Sequence, residues 1–149
     1  MYVDLNSLKS LLEDNEYKIT IMANSSSFLF NSLNDINWLG FYLLNDNSLY
    51  LGPFQGKPAC IKIPVGKGVC GNTIKNNEVT IVQNVLKYPG HIACDSNSKS
   101  ELCIPIIINN KIYGLLDIDS PSFNRFNDEI VNELKEAVKI IELALENAK

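Results

Sequence analysis

"LCIPIIINNKIYGLLDID", residues 102–119, decides the fold. Two apolar, strand-like runs flank Asn109-Asn110-Lys111, which reads as a turn, so the stretch predicts a β-hairpin. A second hairpin stands upstream, where "NWLGFYLL" (37–44) and "SLYLGPF" (48–54) flank Asn45-Asp46-Asn47. "CIKIPV" (60–65) reads as a short strand with Ile61 and Ile63 on one face, and "VTIVQNV" (79–85) alternates as a strand should. Between them "GKGVCGNTIKNN" (66–77) opens on two glycines and enters a short helix near Val69.

The ends are helical. Leu5, Leu8, Leu11 and Leu12 share one face of a first helix. A second runs from about 17 to 33 and carries Ile21, Phe28 and Leu29, although its "NSSS" (24–27) competes with helical backbone for hydrogen bonds. The closing helix has the clearest signals. Asn127 can cap it, Asp128 and Glu129 suit its positive end, and Phe126 can staple against Val131. Ile130, Leu134, Ala137, Val138, Ile141 and Leu145 form its apolar stripe. The expectation is an α+β fold: one domain over 1–149, with about six mainly antiparallel strands and the N- and C-terminal helices packed on the sheet.

Composition narrows the function. The 149 residues are 46% hydrophobic, enough for one core. A net charge of −4 without clustered Lys and Arg argues against a nucleic-acid surface. No segment reaches the ~18 apolar residues of a membrane span, and no secretory signal opens the chain. A cytoplasmic location is therefore expected, where thiols stay reduced and cysteines are more often catalytic or metal-binding than structural.

Between strand signals lies "YPGHIACDSNSKSEL" (88–102), with His91, the chain's one histidine, and Cys94. A loop of about a dozen residues without secondary structure is usually functional or disordered. The four cysteines are Cys60, Cys70, Cys94 and Cys103. None shows C-x2-C spacing, so a tetrahedral zinc site finds little support along the chain. Cys103, inside an apolar run, reads as a small hydrophobe. Cys60, Cys70 and Cys94 stand beside Gly or Pro in loops or at element ends, where sulfur is accessible and Lys57, Lys67 or His91 can lower a thiol pKa. Such a set suits thiol redox chemistry, in which a sulfenic acid condenses with a second thiol.

Asp117 and Asp119 lie two apart, on one face of their strand. In water they would merely end it. In a pocket they would repel, and one would keep a proton and serve as a general acid. Trp38 and Tyr42, four apart, share a face as core or as an aromatic wall.

In order and spacing, "NWLGFYLL", "LYLGPFQGKPACIKI", "GKGVCG", "YPGHIACDSNSKSE" and "GLLDIDS" resemble the free methionine-(R)-sulfoxide reductases, GAF-domain enzymes acting on the free amino acid. The resemblance covers about residues 20–130. It implies a single GAF domain, with Cys94 as nucleophile, Cys60 as principal resolving thiol and Cys70 as auxiliary thiol. It further implies Trp38 and Tyr42 as the substrate's aromatic wall, and Glu101, Asp117 and Asp119 as the acids that hold its ammonium and protonate its oxygen. Thioredoxin or a similar dithiol is the implied reductant; no metal or organic cofactor is called for, and a homodimer is left open. The family carries an aliphatic residue at the position of Cys103, so no catalytic duty passes to it. A rival from another class is a GAF sensor that only binds a small ligand. Such a module needs no resolving thiol and is expected to carry an output domain, for which 149 residues leave no room.

Overall fold

The computed structural model describes residues 1–91 and 96–149. Its strands are β1 (Trp38–Asn45), β2 (Ser48–Gln55), β3 (Lys62–Pro64), β4 (Thr80–Val82), β5 (Ser100–Ile108) and β6 (Lys111–Ser120). They form one antiparallel sheet in the order β3-β2-β1-β6-β5-β4. Helices α1 (Leu5–Leu12), α2 (Lys18–Ser32), α3 (Gly68–Asn76) and α4 (Asp128–Glu146) complete the α+β fold. No helix among the described residues is long and apolar enough to cross a membrane.

Both hairpins form where the sequence predicts them. Asn109 and Asn110 take φ of 52° and 64°, a pair of left-handed residues whose twist matches that of the flanking strands. The β5–β6 register slips between Ile106 and Ile107, and the Ile107 N–H donates to Glu142 of α4 at 2.6 Å. Pro105 is tolerated because β4 pairs with β5 only as far as Cys103. Beyond that point β5 is an edge, where a missing N–H breaks no ladder.

One face of the sheet carries Leu39, Phe41, Leu102, Ile104, Leu116 and Ile118 against α1, α2 and α4. All six predicted stripe residues of α4 are buried, and Asn127 caps the helix by accepting from the Ile130 N–H. Alternation then sends Trp38, Tyr42, Cys103 and Leu115 to the other face, where Val69, Cys70 and Ile74 of α3 cover them. The functional residues belong to this second, smaller core.

Three expectations are corrected. Leu11 is exposed, whereas Leu8 and Leu12 are buried in the core and Leu5 packs against its margin. Ile61 is 77% exposed while Ile63 is buried, since Ile61 precedes β3 and the two-residue period starts only with the strand. The strand expected over 79–85 shrinks to Thr80–Val82, and Asn84 caps a 3-10 turn at Val85–Lys87. The long loop therefore leaves a helical turn rather than a strand. The "NSSS" segment, by contrast, stays helical: Ser25 and Ser26 are buried within α2, where tertiary packing outweighs local competition.

Candidate active site

Register builds the site. Trp38 faces Asp119 across β1–β6, and Asp119 faces Glu101 across β6–β5. The next rung on the same face places Gly40 opposite Asp117, and Asp117 opposite Cys103. Three strands thus deliver an aromatic, three acids and a thiol to two adjacent rungs. The separation of 16 to 18 residues between Glu101 and the aspartates disappears in the hairpin.

The aromatic wall is a stack of three rings. Trp38 lies 5.8 Å from Tyr42 and 5.2 Å from Phe54. Gly40 makes the stack possible, since a Cβ there would sit 2.3 Å from Phe54 Cβ and 2.8 Å from the Trp38 ring. The polar ends of two rings hold the segment that carries Cys60: Trp38 Nε1 donates to the Lys57 carbonyl at 3.1 Å, and the Tyr42 hydroxyl to the Cys60 carbonyl at 2.8 Å. Sequence reading missed Phe54, although a position in β2 paired with Gly40 was a signal for it.

Glu101 and Asp117 are buried, and Asp119, partly buried, lines the same cavity, so the reading in which Asp117 and Asp119 merely end a strand and face water fails. Burial, followed by the charge of Asp119, pushes Glu101 up to about 8. Burial and the charge of Glu101 likewise raise Asp117 well above the carboxylate range. Near neutral pH this pocket therefore stores a proton on a carboxyl, as repulsion between close acids requires. His91 Nε2 stands 3.7 Å from Glu101 Oε1, beyond hydrogen-bond reach. Burial lowers the His91 pKa against the opposing pull of Asp117, so both partners favour their neutral forms.

The cysteines divide unevenly. Cys60 is disulfide-bonded, whereas Cys70 and Cys103 are free and buried. Cys94, the expected nucleophile, lies outside the described residues. Cys70 is not the accessible thiol its glycine neighbours suggest. It sits in the first turn of α3, 5% exposed, because β3 turns back through Gly66 and Gly68, both at positive φ, and drives the helix start against the sheet. A hydrogen bond from Cys103 favours its thiolate, but burial and the charges of Asp117, Glu101 and Asp119 outweigh that bond and raise the pKa. Lys57 and Lys67 do not activate it.

Cys103 is more than an apolar filler. Its sulfur lies 3.5 Å from Cys70 Sγ, 3.4 Å from Asp117 Oδ1 and 3.8 Å from Glu101 Oε2. The two-residue period counted from Glu101 was the available signal, masked by the apolar run around it. Trp38, Tyr42, Cys70, His91, Glu101, Asp117 and Asp119 all line one cavity of about 40 Å³, space for a few water-sized groups.

Residues 28–146 match the model of the GAF domain family. The chain is 47% identical over 145 residues to the free methionine-R-sulfoxide reductase of Escherichia coli strain K12, covering 97% of this chain and 88% of that protein. The solved fRMsr of Staphylococcus aureus in its reduced form superposes with a TM-score of 0.91 at 49% identity, covering 96% of each chain. The same enzyme in complex with substrate gives 0.88 at 47% identity, again over 96% of each. With an antiparallel sheet whose second face gathers aromatics, acids and thiols, the chain belongs to the GAF-domain family and, within it, to the free methionine-R-sulfoxide reductases.

Proposed function

We propose that this protein is an oxidoreductase that reduces free L-methionine-(R)-sulfoxide to L-methionine through a cysteine redox cycle. The carrying observation is the pairing of a protonated buried carboxyl, Glu101, with neighbouring acids beneath the Trp38–Tyr42 wall. A sulfoxide sulfur is a poor electrophile until its oxygen is protonated, and Glu101 or Asp119 supplies that proton. The Cys94 thiolate attacks the sulfur. Two electrons pass from the cysteine sulfur, methionine leaves, and the oxygen remains on Cys94 as a sulfenic acid. Cys60 then condenses with the sulfenic acid, forming a disulfide and releasing water. Thioredoxin or a similar dithiol reduces that disulfide by exchange and is itself oxidised.

Cys60 suits the resolving role because it is held in a disulfide while Cys70 and Cys103 are free. Burial of Cys70 leaves it a secondary place. Asp117 and Asp119 are assigned to the ammonium. A peptide amide in its place would leave a buried carboxylate unpaired, which disfavours protein-bound methionine sulfoxide. The R preference rests on the family alone.

The test is turnover by the reduced protein with thioredoxin, thioredoxin reductase and NADPH. Free R-sulfoxide is expected to be consumed, while an N-acetylated R-sulfoxide reacts at least about a hundredfold more slowly, as an unpaired buried charge demands, and the free S epimer is disfavoured as the family implies. Binding of the free R-sulfoxide without turnover would instead make the chain a sensor module. Cys60→Ser is expected to release about one methionine per chain and then stall, because its sulfenic acid lacks a partner. Undiminished thioredoxin-linked cycling in that variant would pass the resolving role to another thiol.

A further inference from the structure

Four potential metal ligands converge from three elements: Cys70 from α3, Glu101 and Cys103 from β5, and Asp117 from β6. One ligand atom from each lies within 4.8 Å of the other three, and all four side chains are buried. The spacing along the chain concealed this, since 31 residues separate Glu101 from Cys70 and 14 separate Cys103 from Asp117. A tetrahedral zinc ion with ordinary bond lengths spaces two thiolates by about 3.8 Å, and a thiolate and a carboxylate oxygen by about 3.6 Å. Here the two sulfurs are 3.5 Å apart, and the sulfur–oxygen distances are 3.4, 3.7 and 3.8 Å. Four of the six edges of such a tetrahedron already exist without an ion at its centre, and the other two, Cys70–Asp117 and Glu101–Asp117, are no longer than 4.8 Å.

We infer that Cys70, Cys103, Glu101 and Asp117 form a tetrahedral site for a borderline divalent cation of the zinc type. Two thiolates with two carboxylate oxygens select such an ion over magnesium or calcium, which take oxygen alone at higher coordination. Among the described residues no Lys or Arg forms an ion pair with Glu101 or Asp117, and the basic neighbour of Glu101, His91 at 3.7 Å, has its pKa lowered by burial, so it competes weakly with a cation. Buried ionisable groups are paired, metal-bound or held neutral by a proton, and here a metal takes the place of the protons. An entering ion reaches Cys70, Glu101 and Asp117 from the cavity they line. Two thiol protons leave as the metal–sulfur bonds form, together with any proton held by the carboxyls. Cys103 completes the set. The inference does not rest on the proposed reaction, and metal binding reads it separately.

The experiment adds Co²⁺, then Zn²⁺, to anaerobic protein in which the Cys60 disulfide is kept intact, so that Cys70 and Cys103 supply the thiols. Expected is one Co²⁺ per chain with the visible bands of a tetrahedral ion and a thiolate charge-transfer band, all displaced by Zn²⁺. Cys103→Val removes the thiol at the cost of one extra methyl group and is expected to weaken binding by roughly a hundredfold or more, since loss of even an outer-sphere partner costs up to that much. Asp117→Asn, which keeps the shape of the site, should weaken it comparably and serves if the valine variant does not fold. Absence of a thiolate band in the parent protein, or a band of full intensity in both variants, overturns the inference.

Discussion

Replacing Cys94 by serine is expected to reduce turnover of free methionine-R-sulfoxide to background while leaving the melting temperature of the reduced protein nearly unchanged. Both electrons for the reduction come from the nucleophilic sulfur, and a serine hydroxyl can neither attack as a thiolate nor end as a sulfenic acid. The loss is therefore all or none. A fall beyond about a thousandfold corresponds to more than about 4 kcal/mol of lost transition-state stabilisation. The other sulfurs offer no substitute. Cys60 performs the later step in the proposed cycle, and burial among acids raises the thiol pKa values of Cys70 and Cys103. Methionine released in a single turnover, measured alongside the NADPH-linked rate, separates loss of attack from loss of resolution. Full turnover in Cys94→Ser would sink the mechanism.

Glu101→Gln is expected to lower kcat by about a hundredfold to ten-thousandfold, the range assigned to a positioned general acid. The amide preserves size but holds no acidic proton. In the parent protein, kcat is expected to fall as pH rises through about 8, where Glu101 ionises, and this limb should vanish in the variant. Stability carries the same signature. Glu101 has a folded pKa raised above that of the unfolded chain, so between about 4.3 and about 8 the folded state holds a proton that the unfolded state has released. Its favourable contribution is complete below the unfolded pKa and is lost as pH climbs through the folded one. The burial of Asp117 acts in the same direction. Urea unfolding from pH 5 to 8.5 should therefore show stability declining by an amount on the order of a few kcal/mol, with a shallower slope in Glu101→Gln. An unchanged slope and an unchanged kcat would together mark Glu101 as structural only.

The roles of Glu101 and Cys103 mark the limit of what the chain discloses on its face. Elements were legible wherever local chemistry dictates them. Asn109-Asn110 sets a hairpin, Asn127 caps α4, and a 3.6-residue period identifies the buried side of that helix. The aromatic pair Trp38 and Tyr42 and the shared face of Asp117 and Asp119 followed from the two-residue period of a strand. Each of these depends on residues within about four positions of one another. Their environment does not.

The sequence by itself therefore determined the α+β class, the two hairpins and the residue types that the chemistry requires. Tertiary structure alone decided which were buried together. Antiparallel register aligned Glu101 with Asp119 and Cys103 with Asp117, and the turn through Gly66 and Gly68 pressed Cys70 onto the same rungs. A carboxyl's proton affinity and a thiol's reactivity are set by desolvation and by charges a few ångströms away. Those neighbours come from strands and a helix distant along the chain, so no local pattern could reveal that Cys70 is shielded and Cys103 is surrounded by acids.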